Sequence, residues 1–243
     1  MPKKENSLVQ LNEFLQSLPK HFQVLETPVD VDVQLAYYQQ ARTQEKPGTP
    51  PDGKQLKQYE EALHSDQTDI EQKKRLLITL ASVSTPEAYR IIERYAAKPD
   101  GGLEAWSIMA LHESKMVLES SLLDENQVYI STGLGGKDDM LRYFAVILHK
   151  HGPLEDFQKK VLDGEIRDAV NTAEGVTERI SHYGGFSTVQ LLIPVRNDLT
   201  HVLISAIQES NAYGDFLETD MLITNMKILS NKEIMQLIAQ KNG

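Results

Sequence analysis

Gln127-Val-Tyr-Ile-Ser-Thr-Gly-Leu-Gly-Gly-Lys-Asp-Asp-Met-Leu-Arg-Tyr-Phe-Ala-Val-Ile-Leu148 is the stretch that decides the fold. Val128, Ile130 and Thr132 alternate with Gln127, Tyr129 and Ser131, the period of a strand with one wet face. Met140 to Leu148 is apolar on both faces, as a central strand is. The short link between the two runs predicts an antiparallel hairpin. Upstream, every structured stretch carries helical spacing. Downstream, β-type runs alternate with amphipathic helices. The pattern predicts an α+β chain, with an all-helical module followed by a small mixed-sheet α/β domain of order ββαβαβα.

Beyond the hairpin, Leu154, Phe157 and Val161 predict a helix broken at Asp163-Gly164. Ile166, Ala169, Val170, Ala173 and Ile180 predict another, stopped at Gly184-Gly185 as a C-terminal cap would be. Strands are expected at Thr188–Ile193 and Phe216–Thr224, around a helix striped by Leu199, Val202, Leu203, Ala206 and Ile207. Their β-α-β passage predicts a right-handed crossover joining parallel strands. Ser230 with Glu233 caps a last helix.

Upstream, residues 1–66 read as a loosely organised helical lead-in, with a helix around Leu8, Leu11, Phe14 and Leu15 and another over Val33–Ala41. Lys46-Pro-Gly-Thr-Pro-Pro-Asp-Gly53 is a linker signal, since proline removes donors and glycine adds freedom. Residues 67–124 form the helical module, and 125–243 the α/β domain. Thr68 with Glu71 matches a capping box, and Pro86 opens a helix where a missing amide costs least. The helix over 103–123 is apolar on two sides, which predicts packing between neighbours. Pro86 and the run Glu104-Ala-Trp-Ser-Ile-Met-Ala-Leu111 make residues 68–123 resemble HEAT or armadillo repeats. That resemblance implies a helical protein-binding surface.

Composition narrows the chemistry. The 243 residues include no cysteine, which excludes disulfides, thiolate catalysis and Cys-ligated zinc. Met1-Pro-Lys-Lys-Glu-Asn opens no signal-peptide core, and no long apolar run could span a bilayer, so a soluble cytoplasmic protein is the expectation. The net charge of -10 disfavours nucleic acid as a partner, because phosphate contacts need clustered Lys and Arg. Lys73-Lys74-Arg75 fills one turn and reads as a solvated helix face.

Thr132-Gly-Leu-Gly-Gly-Lys137 lacks the Walker spacing, and Asp138 and Asp139 would repel phosphate. A hairpin tip is the reading, with an anion or ligand loop of Gly133, Gly135, Gly136 and Lys137 as the alternative. His149-Lys-His151 lacks a third metal ligand and reads as a polar strand end. Glu113, inside an apolar helix line, is either an acid–base group or the partner of Lys115 or Arg94. His182–Phe186 and Asn211–Asp215 read as helix stops or pocket walls. No Gly-x-Ser-x-Gly, His-Glu-x-x-His or dinucleotide fingerprint is present, so no catalytic residue, metal or cofactor is assigned. The expectation is a non-enzymatic scaffold that binds a protein partner through Phe14, Phe22, Tyr37 and Tyr38, with a second copy of the chain also allowed. The alternative is a small-molecule-sensing or enzymatic α/β domain.

Overall fold

The computed structural model describes residues 22–44, 49–125 and 127–241. The chain divides into two compact units between Ile130 and Ser131. No helix among the described residues is long and apolar enough to cross a membrane.

The first unit contains β1 (Phe22–Val24), α1 (Val31–Thr43), α2 (Gly53–Leu63), α3 (Ile70–Ala81), α4 (Pro86–Ala96), α5 (Glu104–Leu123) and β2 (Val128–Ile130). Short polar side chains start four of its helices, α1 to α4, whereas α5 follows Leu103. Asp52 with Gln55 and Asp69 with Gln72 form reciprocal capping boxes, and Thr85 caps α4 ahead of Pro86. The cap of α3 thus lies one residue beyond the Thr68–Glu71 pair, on a carboxylate that caps better than a threonine. The core joins Leu25, Val29 and Tyr37 to Leu56, Leu63, Leu77, Ile92, Tyr95, Trp106 and Met109. Much of the segment expected as a loose lead-in is therefore built into this core; Phe14 and its predicted helix lie outside the described residues.

α5 packs against α1, α3 and α4. Helices gathered round one central helix are not a solenoid, in which each repeat touches only its neighbours. Ser107 and Ser114 are buried in α5 beside its apolar residues. β2 pairs in parallel with β1, Phe22 opposite Val128, rather than forming a hairpin with residues 140–148.

The second unit contains β3 (Gly136–Lys137), β4 (Met140–His149), α6 (Asp156–Thr172), β5 (Val176–His182), β6 (Phe186–Pro194), α7 (Leu199–Asn211), β7 (Leu217–Thr224) and α8 (Asn231–Lys241). β4 is central: β6 runs along one side of it, and β7 and β3 pair with it as well. β5 forms the outer strand beyond β6. Every pair is antiparallel, so the sheet is not mixed. β6 and β7 do run in the same direction, but β4 lies between them. The passage β4-α6-β5-β6-α7-β7 is a split β-α-β arrangement of the ferredoxin-like kind.

Strand alternation sorts the side chains. Ala145, Ile147, Val189, Leu191 and Ile193 meet Leu162, Ile166, Leu203 and Ile207 of the two crossover helices. Phe144, Val146 and Phe186 face the other way, packing with Leu134 and with Ile234 of α8. The register of β5 on β6 shifts between Thr177 and Arg179, leaving Glu178 in a bulge. Arg142 of β4 reaches Glu178 with two hydrogen bonds, at 2.7 and 2.9 Å.

Candidate functional site

Three backbone features bring four polar side chains together in the second unit. The β5–β6 hairpin turns through Tyr183–Gly185, closed by the Tyr183 amide donating to the Phe186 carbonyl at 2.9 Å. His182 is thereby set directly opposite Ser187. The neighbouring strand β4 ends at His149, two residues beyond the partner of Ser187, Ile147. All three side chains point to the face covered by α6, whose Asp163 completes the group.

The four residues form one continuous chain of contacts. Asp163 Oδ1 lies 3.1 Å from His182 Nε2, and His182 Nδ1 lies 2.8 Å from Ser187 Oγ. Ser187 Oγ is also 2.8 Å from His149 Nε2, and His149 Nδ1 is 3.1 Å from the Gly152 carbonyl oxygen. Burial is graded along it. Ser187 is 0% exposed and His149 9%, whereas the side chain of Asp163 is 39% exposed and that of His182 16%. Burial lowers the pKa of His149 below the ordinary imidazole value, helped by the nearby His182 and opposed by the hydrogen bond to Gly152. Such an arrangement links an outer carboxylate to an inner imidazole through groups that can both give and take a proton.

The residues singled out from sequence lie elsewhere. Gly133 packs so closely on residue 226 that a Cβ would stand 1.7 Å from the Met226 carbonyl oxygen. The Leu134 amide donates to Asn225 and the Gly135 amide to Thr132, so the loop directs these two donors to its own backbone. Gly135 has φ 65, Gly136 lies in β3, and Lys137 is exposed. Tyr37 is 0% exposed and gives its hydroxyl to Glu113 Oε2 at 2.5 Å, which leaves it no surface for a partner. Burial first, and then Glu113, push its pKa well up. Tyr38 is 43% exposed, and Phe22 is half-buried in β1. His151 is exposed and outside the network; no three metal-ligating side chains gather among the described residues.

Sequence reasoning did not assemble the site because residues 176–182 read as helix. Val176 and Ile180 are four apart, a helical interval, and the outer strand they belong to is half-wet and charged. The spacing His182-x4-Ser187 across Gly184-Gly185 is the signal that a hairpin would have revealed. Asp163-Gly164, taken as a break, lies inside the single helix α6.

No family model and no curated protein matches the chain. Among solved structures, 42% of the chain is similar to a protein assigned as a transposase from Deinococcus radiodurans R1, with 12% identity, 89% of that chain covered and a TM-score of 0.34. The same share is similar to the REP-associated tyrosine transposase bound to a REP hairpin, with 10% identity, 68% of that chain covered and a TM-score of 0.31. Both are described as transposases, and the HEAT or armadillo resemblance of residues 68–123 is corrected: α1, α3 and α4 gather round α5, where each unit of a solenoid would touch only its neighbours. The scaffold reading is corrected with it, including its protein partner and its disfavouring of nucleic acid.

Proposed function

We propose that the α/β unit is an acid–base catalytic domain acting on the phosphodiester backbone of nucleic acid. The observation that carries the reading is the unbroken chain Asp163–His182–Ser187–His149, which leads inward from the surface. His182 is the proton-handling group: it takes a proton from an attacking hydroxyl or gives one to a leaving oxygen, a role worth about 10²–10⁴-fold in rate. Asp163 orients its ring. Ser187, fully enclosed, is no nucleophile and couples the two imidazoles instead.

The substrate class follows from local charge. Lys160 and Arg167 are exposed on α6, one turn to either side of Asp163, and neither forms an ion pair among the described residues. Asp156, on the same stripe, is taken up by Lys159 at 3.0 Å. Glu165 and Asp168 share α6 with these cations, so the positive charge belongs to the Lys160–Arg167 stripe and not to the helix as a whole, while exposed charges more than about 8–10 Å away are screened at physiological salt.

The test incubates the purified chain with end-labelled single-stranded and hairpin DNA and RNA, resolving products by size. Cleavage that His182→Ala lowers at least 100-fold, and that Lys160→Ala/Arg167→Ala weakens through KM, is expected. Failure of the unaltered chain to cleave any of these strands refutes the reading, as does cleavage unchanged by His182→Ala.

A further inference from the structure

Counting the hydrogens that four closed contacts need gives a further result. There are four contacts, and each needs one hydrogen. Both ends, the Gly152 carbonyl and the Asp163 carboxylate, only accept. Between them, two neutral imidazoles and one hydroxyl supply three hydrogens. We infer that the closed network holds one proton beyond its neutral side chains, that His182 carries it as an imidazolium, and that the site therefore rests loaded with an acid.

The direction of each bond follows. His149 donates from Nδ1 to Gly152 and accepts at Nε2 from the Ser187 hydroxyl. Ser187 in turn accepts from His182 Nδ1, and His182 donates from Nε2 to Asp163. The charge sits on His182 because imidazole is a stronger base than carboxylate, and because Asp163 faces it while His149 lies deeper. Other charged groups near this end of the sheet include Lys150, which follows β4 and is held by Asp215 at 2.5 Å, the exposed His151 beyond it, and Lys159, Lys160, Glu165, Arg167 and Asp168 around Asp163 on α6. When the extra proton leaves, one contact must become acceptor facing acceptor. The His182–Asp163 contact is the one water can reach, so it opens while the buried links persist.

This deepens the catalytic reading and rests on it for one consequence only: the Nε2 proton of His182, released from Asp163, goes to the oxygen leaving phosphorus as its P–O bond breaks. Water takes that oxygen's place and gives its own proton to solvent, so His182 begins as donor and not as abstracting base. The proton count itself stands on geometry. It is tested on the full-length chain, labelled with nitrogen-15, by correlating ring nitrogens with ring protons through two bonds between pH 5 and 9. Both ring nitrogens of His182 are expected protonated near neutral pH, with His149 neutral and protonated at Nδ1. Asp163→Asn is the decisive variant. Its amide can donate to His182 Nε2, so all four contacts close with neutral imidazoles, and His182 should lose its charge while His149 keeps its tautomer. A neutral His182 in the unaltered protein overturns the inference, as does an imidazolium at His149 or a His182 still charged in Asp163→Asn. An imidazolium at His182 without cleavage of any oligonucleotide leaves the proton count intact and removes the phosphodiester reading.

Discussion

Acid should unfold the helical unit through one imidazole. His112 lies on α5 with its ring edge-on to Tyr129, centroids 4.5 Å apart, and its Nε2 is buried with no hydrogen-bond partner among the described residues. Burial first, then Lys115, opposed by Glu119, together lower its pKa from 6.5 to about 4. Well above pH 6.5 the ring is neutral both folded and unfolded, so it makes no difference to stability. Below that, the unfolded chain takes up a proton that the folded one refuses, and stability falls until the pH reaches about 4. At 1.36 kcal/mol per unit the loss is at most about 3 kcal/mol. The perturbation is His112→Phe, which keeps an aromatic edge toward Tyr129 and removes the unpaired nitrogen. At pH 7.5 the variant should be as stable as the parent or slightly more so, because it leaves no buried polar atom unsatisfied. At pH 4.5 it should exceed the parent by about 2–3 kcal/mol. Urea titration followed by the fluorescence of Trp106, the single tryptophan and part of this unit's core, measures the difference directly. Parallel loss of stability by parent and variant between the two pH values would refute the reasoning.

Three further outcomes follow from the packing. Lys73 is buried and its ammonium meets Asp100 at 2.5 Å, while Asp100 is half-exposed and also accepts from Tyr95. Asp100→Ala, which strands a buried charge, should cost about 3–5 kcal/mol, and Lys73→Met clearly less; chemical denaturation of both variants checks the order. Gly133→Ala forces a methyl into the Met226 backbone and should lower the stability of the α/β unit by about 3 kcal/mol, read from its calorimetric midpoint. Tyr37→Phe removes the hydroxyl bonded to Glu113 and should cost about 1–3 kcal/mol, whereas the exposed Tyr38→Ala should stay within about 0.5 kcal/mol of the parent by the same urea titration.

What could be read from the chain was whatever a local period encodes. Met140–Leu148 is apolar on both faces because β4 has a strand on either side and helices above and below. The helix face of α7 was equally plain, and Pro86 marked the start of α4. What escaped was long-range or hidden by competing signals. Residues 128–130 form a strand, but their partner lies more than a hundred residues away at Phe22–Val24, where nothing local announces it. β5 presents a helical interval because its outer position leaves few places that need to be apolar. The site itself was invisible as a motif, since Asp163, His182 and His149 come from three elements and meet only when the sheet is closed. Tyr37 and Tyr38 show the same limit on a smaller scale: adjacent aromatics, one enclosed and one wet, distinguished only by the helix turn that separates them.

The Glu178 bulge also governs how the protein behaves in a crowd. Among the described residues β5 is an outer strand whose far edge pairs with no other strand, and a regular, uncharged border of that kind invites stacking into fibres. An extra residue bent onto the sheet face and clasped by Arg142 interrupts that border where a foreign strand would have to align. Deleting Glu178 would straighten the ladder and release Arg142. Colloidal solubility, rather than folding, is then the property at risk.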